Sequence, residues 1–391
     1  MDDYGVRMKH SSAIVVGAGI LGLALARALA AQGVRVVVFE RHERAVGASA
    51  RNPGLLLPLG AAEGLELEQA RRSHAVWREF CEAADVWYDA SGCLLPAWQE
   101  DEAAVLQEYA AAARRGGEWL GPAAARERCL LLPARGLRGA LWSSEEMRID
   151  PRVALRQLPA WLAQRYEVEF RWKHAVTRVE HPYVWSGGRR HAADVIYLTG
   201  GADLAELVPA LAASGALRLQ RQSAARLVNQ SEGLRLPLPL GNAALLPQLA
   251  AFAELRSLPR LRERLAQEGG SGNGLLLMQN GSGEILALPE AESGEDAGND
   301  SLRQRRILDA IRGLAQLPDC RLQQTWQAVH ALGAGDGAIC IADGVIAVAT
   351  PGAGLGMTLA FGLAEDVVAG RVRAQVLPAP PPGLRRAEAV R

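Results

Sequence analysis

Ala13-Ile14-Val15-Val16-Gly17-Ala18-Gly19-Ile20-Leu21-Gly22 decides how this chain folds. Its apolar start reads as a strand, its glycines as a tight turn, and Leu21, Leu25, Ala28 and Leu29 as one apolar stripe of a helix. Gly33 stops that helix, a second β-branched run follows at Val34-Arg35-Val36-Val37-Val38-Phe39, and Glu40 ends it, 18 residues after Gly22. This is a βαβ unit with the spacing of a dinucleotide site. Gly17 permits the turn, Gly19 lets backbone approach a pyrophosphate, and Gly22 lets the helix lie against the strand. The phosphates meet a helix N-terminus, where free N–H groups and the dipole favour anions. Glu40 would accept hydrogen bonds from ribose hydroxyls and repel a 2′-phosphate, which favours FAD or NAD over NADP. The competing reading is a glycine-rich turn that binds nothing.

A second glycine turn, Gly352-Ala353-Gly354-Leu355-Gly356-Met357-Thr358, lies near the other end. Reduced flavin gathers negative charge at N1 and O2, and a helix N-terminus aimed there stabilises it. Two such turns in one chain point to a flavin enzyme, against the plainer alternative that the later turn only packs on the first.

The 391 residues can bury a large core and suggest two or three domains. Lys+Arg and Asp+Glu number 43 each, so no overall field recruits a nucleic acid or an anionic membrane. Cys81, Cys93, Cys129, Cys320 and Cys340 are scattered without CxxC spacing, which argues against a disulfide framework or a metal site and for buried thiols in a reducing compartment. Lys9 and the apolar stretch after it imitate a signal peptide, but cleavage there would delete the first strand and its turn. No other stretch approaches the roughly 20 apolar residues of a membrane helix, so the expectation is a soluble, cytoplasmic protein. The sequence does not report oligomeric state.

Helical spacing recurs at 64–84 (Leu65, Ala70, Val76, Trp77, Phe80) and 301–315 (Ile307, Ile311, Leu314), and Asp150-Pro151 reads as an N-cap and first helical position. Strand-like runs fall at 92–95, 166–170, 175–179, 194–198 and 344–348. The fully apolar runs suit a sheet buried on both faces, and the mixed 86–149 and 218–288 stretches suit an antiparallel sheet with one wet face. The expected fold is α/β. A discontinuous Rossmann-like domain with a parallel central sheet takes 1–85, 150–217 and 322–378; a second, α+β domain takes 86–149 and 218–321. Residues 289–300 read as an acidic, solvated loop and 379–391 as a flexible tail.

With both glycine turns in hand, the chain resembles the D-amino acid oxidase family of FAD-dependent amine oxidoreductases, which includes glycine and sarcosine oxidases. The resemblance rests on Val16 to Gly22, Phe39-Glu40-Arg41, Gly47 to Gly54, Ile149-Asp150-Pro151, Ala175-Val176-Thr177, Asp194 to Gly201 and Thr350 to Thr358. It implies that Gly17, Gly19, Ile20, Leu21 and Gly22 hold the pyrophosphate, Glu40 and Arg41 the ribose side, and Val176 the adenine. It further implies that Ala48, Ser49, Arg51 and Asn52 line the pyrophosphate and flavin, that Thr199 and Gly200 pass under the cofactor, and that Gly354, Leu355, Gly356, Met357 and Thr358 face the pyrimidine ring. No cysteine stands near Val329 and no histidine in the Ser49 loop, so FAD is expected to be non-covalent. Arg51-Asn52-Pro53-Gly54, Pro58-Leu59-Gly60, Met278 to Glu284 and Trp326 to His330 are similar, more narrowly, to a subgroup associated with aminophosphonate breakdown.

Where glycine oxidase-like members place a carboxylate-clamping arginine, this chain has His330, which cannot make that fork contact. Flavin amine oxidation asks the protein for placement, exclusion of water and a supporting field, which fits the lack of any triad, metal or paired-carboxylate motif. The expected partners are a small amine and an acceptor, either oxygen or a quinone. Arg51 and His330 are the candidate anion holders, and Trp326 a candidate wall. The plainer readings are a pyrophosphate or backbone contact for Arg51, a satisfied buried histidine for His330 and core packing for Trp326. Oxidation of a 2-hydroxy acid, or a non-catalytic flavin-binding role, are the alternatives.

Overall fold

A computed structural model describes residues 10–112, 116–231, 233–269, 274–289, 300–352, 355–372 and 374–377. The opening motif folds as its residues dictate. Ser12–Val16 is a strand, Ile20–Ala30 a helix and Arg35–Glu40 the next strand, paired in parallel with the first. Val195–Leu198 pairs in parallel on the other side of Ser12–Val16, and Val345–Val348 pairs in parallel with Val195–Leu198. The result is a seven-stranded, mostly parallel sheet with Glu169–Trp172 at one edge and Ala338–Ala342 and Gln375–Val376 at the other.

The first glycine turn and the chain after Val348 therefore leave the carboxyl edge of one sheet, where open α/β sheets bind ligands. The first helix and the last, Gly356–Val368, pack on each other through Leu23, Ala24, Phe361 and Ala364 in one buried cluster. Arg27 bridges them to Glu365 at 3.0 Å. Helix Leu65–Ala83 covers the last helix, donating from Trp77 Nε1 to the Met357 carbonyl at 2.9 Å.

The second layer is an eight-stranded, largely antiparallel sheet. One face packs on Asp300–Leu314 through Ile307, Ile311 and Leu314, the stripe that the sequence spacing predicts. The other face, with Leu276, Met278 and Leu286, meets Leu55, Leu57 and Leu59 of the first part of the chain.

Two differences from the sequence reading have clear causes. The strand expected at 166–170 is observed at Glu169–Trp172, because helix Pro151–Tyr166 runs through to Tyr166 and Glu167 ends it in the left-handed region, φ 57°. Leu322–Gly333, expected with the nucleotide-binding part, pairs along its length with Leu217–Leu227 in the eight-stranded sheet. Its alternating polar residues fit a strand with one face at a cleft, and the chain returns to the parallel sheet at Ala338. The tail at 379–391 and residues 290–299 of the acidic loop lie outside the described residues.

Candidate functional site

The first glycine turn is closed from below and open above. Gly17 has φ 109°, and a Cβ there would stand 2.8 Å from the Thr199 carbonyl oxygen. A Cβ on Gly22 would stand 1.9 Å from the Gly17 carbonyl oxygen and 2.7 Å from Thr199 Oγ1. On Gly19 the nearest atom would be Ser49 Oγ, at 3.3 Å. Thr199 ties the neighbouring strand under the turn, its hydroxyl donating to the Val16 and Gly17 carbonyls at 3.0 and 3.1 Å, and Gly200 follows it. The first helix opens at Gly19 with no side-chain cap from that residue. That leaves its positive end available to a pyrophosphate.

Glu40 braces this mouth. One carboxylate oxygen accepts from Ala18 N at 2.9 Å and the other from His42 N at 3.0 Å. Each oxygen keeps a lone pair for a ribose hydroxyl. Arg41 pairs with Asp203 at 2.9 Å beside it. Val176 begins the strand that follows His174, whose N–H donates to the Glu40 carbonyl at 2.9 Å, which brings the start of that strand close to Glu40.

Ala48–Arg51 forms a single helical turn across the mouth. Ser49 Oγ accepts from Ile20 N at 3.1 Å, and Asn52 Oδ1 from Gly54 N at 2.8 Å. This turn is bolted to the second sheet by a reciprocal pair: Trp326 Nε1 donates to the Arg51 carbonyl at 2.9 Å, and Arg51 Nη1 to the Gln327 carbonyl at 3.0 Å. The Arg51 guanidinium has no carboxylate partner among the described residues.

The last helix starts at Gly356 with Leu355 as its uncapped N-cap, and Thr358 Oγ1 accepts from Leu57 N at 3.0 Å. Leu355, Gly356, Met357 and Thr358 thus stand beside the Leu55–Gly60 stretch; Gly354 lies outside the described residues. Two helix starts whose N-cap residues bring no capping side chain, a glycine turn without room for side chains and the Glu40 carboxylate share one edge, a set of residue types that fits FAD.

The second sheet beside this loop carries a largely polar ladder. Register pairs Gln220 with His330, Gln222 with Ala328, Ala224 with Trp326 and Arg226 with Gln324, which alternation places on one face. Burial pushes the His330 imidazole below its usual pKa, so it is neutral at neutral pH and supplies no charge to an anion. Sequence reasoning missed a second group of cations. Arg152 and Arg226 both reach Glu284, the former at 3.1 Å, and Asn280 Nδ2 donates to the same carboxylate at 2.8 Å. These residues are dispersed along the chain, and no spacing announces them. Behind the Pro58–Gly60 turn, the wholly buried Glu146 accepts from Leu59 N at 3.0 Å, and burial raises its pKa to about 7. Among the described residues there is no group of three potential metal ligands, and no helix is long and apolar enough to cross a membrane.

Comparison with known proteins agrees with this geometry. A family model described as FAD dependent oxidoreductase (DAO) matches residues 12–369. A tRNA 5-methylaminomethyl-2-thiouridine biosynthesis bifunctional protein MnmC from Magnetococcus marinus is 26% identical over 214 residues, 51% of this chain. The match spans only 31% of that relative's length. Among solved structures, glycine oxidase from Geobacillus kaustophilus superposes with a TM-score of 0.69 at 18% identity, covering 93% of this chain and 95% of that one. Iminodiacetate oxidase from Chelativorans sp. BNC1 gives 0.68 at 19%, covering 94% and 100%. At such identities these two structures speak for the fold.

Proposed function

The chain belongs to the DAO family of FAD-dependent oxidoreductases, and from that premise we propose that it oxidises a small primary or secondary amine bearing an anionic group, with an aminophosphonate related to 2-aminoethylphosphonate as the substrate class. FAD, held non-covalently in this reading by the first glycine turn, Glu40 and the Ser49 loop, would supply a two-electron acceptor for oxidation of the amine to an imine, which water would hydrolyse. The chain's own residues orient and enclose. The Arg51–Trp326 pair joins the cofactor loop to the polar face of the second sheet, and this single observation supports the reading, because a small molecule held on that face would lie beside the loop. The uncapped start of the last helix supplies the field that favours the reduced ring. A neutral His330 in place of a guanidinium fork speaks against an α-carboxylate clamped there, and so against a 2-hydroxy acid held in that way.

The similarity to proteins named for tRNA 5-methylaminomethyl-2-thiouridine biosynthesis favours a second reading, a secondary amine carried on RNA. The experiment is anaerobic mixing of the oxidised holoenzyme with 2-aminoethylphosphonate and its N-methyl derivative, with 2-hydroxy acids, and with RNA carrying the modified base. Bleaching of the flavin by the free amines alone supports the proposal. Bleaching only by hydroxy acid or RNA, or by nothing, refutes it.

A further inference from the structure

A cavity of about 180 Å³ lies where the Ala50–Pro53 loop, the start of helix Pro151–Tyr166 and the second sheet meet. Three guanidiniums line it, from Arg51, Arg152 and Arg226, with Asn280, Gln324 and the Trp326 ring completing the wall. Two carboxylates are present, and both are committed. Asp150 caps its helix, accepting from Arg152 N at 2.9 Å and Val153 N at 3.3 Å. Glu284 is consumed by Arg226, Arg152 and Asn280; burial alone would raise its pKa, but those three donors outweigh it and hold the group ionised.

Three cations against two anions leave one positive charge in surplus. Arg51 spends a single N–H on the Gln327 carbonyl, and Arg226 Nε is buried without a partner among the described residues. Arg51 is exposed and water can serve its remaining N–H groups, but the buried Arg226 Nε–H is costly to leave unpaired unless an acceptor arrives. We propose that this cavity is a binding subsite for a tetrahedral oxyanion, the phosphonate or phosphate end of a small ligand. A planar carboxylate matches one guanidinium fork, whereas donors arriving from three separate elements match an acceptor with three divergent oxygens. The volume equals roughly six liquid waters, enough for such a group and a short tail. The subsite is distinct from His330, which is four residues, roughly 13 Å, further along the same strand. It rests on the amine-oxidation reading only for whose anion it holds.

The test is titration of the FAD-loaded protein with methylphosphonate, inorganic phosphate and acetate, none of which can be oxidised, followed by calorimetry and ³¹P line width. Saturable methylphosphonate or phosphate binding, at least about tenfold tighter than acetate and weakened about tenfold or more by Arg226→Gln, is expected. Should Arg226→Gln lose its fold through the freed Glu284, Arg152→Gln, whose half-exposed side chain leaves Arg226 and Asn280 on that carboxylate, must show the same weakening at unchanged FAD content. No saturable binding of either tetrahedral anion, acetate binding equally well, or affinity indifferent to both substitutions overturns the subsite. Methylphosphonate binding that Arg226→Gln abolishes, in a protein that no amine bleaches, leaves the subsite standing and removes the amine reading.

Discussion

The cofactor edge and the polar face of the second sheet both prepare positions for a ligand, yet they are built from different materials. At the edge, the proposed recognition is made of backbone: Gly17, Gly19 and Gly22 would contribute by lacking side chains, and the helix starts at Gly19 and Leu355 by N-cap residues that bring no capping side chain. On the sheet, it is made of long side chains, Arg152, Arg226, Glu284 and Trp326, that reach one another across distant segments. Backbone recognition needs a local sequence and tolerates no added atom. Side-chain recognition draws on remote residues and degrades by steps.

The sharpest way to break that contrast is to add one methyl group at the edge. Gly22→Ala puts a carbon 1.9 Å from the Gly17 carbonyl oxygen, and neither backbone can yield without moving the turn. Overpacking of this kind costs about 3 kcal/mol. The expected result is FAD affinity reduced more than about 100-fold, read by flavin absorbance after purification and by FAD titration. A Gly22→Ala protein that purifies yellow with unchanged affinity would show that the edge is not a backbone cradle.

The same contrast explains what the sequence disclosed. The opening βαβ unit, Glu40 and the start of the last helix, though not Thr199, which entered only through the family resemblance, were legible because each is a local pattern: a period, a glycine spacing, an acidic residue at a strand end. The helix stripe Ile307, Ile311 and Leu314 was legible for that reason too. The strand near 166 was displaced because Trp161, Leu162 and Tyr166 carry a helical period into a segment whose polar and apolar residues also alternate. The arginine group around Glu284 had no signal at all. Its members stand at 152, 226 and 284, and only the Asn280 turn, where Asn280 Oδ1 accepts from Ser282 Oγ and Glu284 N, fixes the carboxylate's direction. Leu322–Gly333 was grouped with the nucleotide-binding part, and its place in the eight-stranded sheet went unread, since pairing partners a hundred residues away leave no trace in a strand's own composition.

Glu146 joins the two regions and gives the next test. Its side chain is wholly buried, one oxygen holds Leu59 N and the other has no partner among the described residues. Burial raises its pKa from 4.5 to about 7. Between those values the unfolded chain has released the proton and the folded chain keeps it, so stability falls as pH rises. The contribution is fully present below pH 4.5 and gone above about 7, amounting to about 3 kcal/mol. Glu146→Gln, which mimics the neutral acid, should remove this fall, as seen by comparing urea melts at about pH 5 and pH 7.5. Equal slopes in variant and parent would detach Glu146 from the pH response.

The smallest expected effect comes from Trp326→Phe, which keeps the aromatic wall and removes one donor. The Arg51 carbonyl that loses its partner lies at an exposed position, where water replaces the bond, so the cost is about 1 kcal/mol or less. Because Arg51 also donates to Gln327 O, the loop stays attached to the strand by its other bond. The loss should therefore fall on alignment between loop and sheet: KM for an amine that bleaches the flavin rises by up to about fivefold while FAD affinity is unchanged. That split separates a side-chain region from a backbone one. A Trp326→Phe protein that loses FAD as readily as Gly22→Ala would mean that the sheet and the cofactor edge act as one unit, and that the contrast between them is only one of composition.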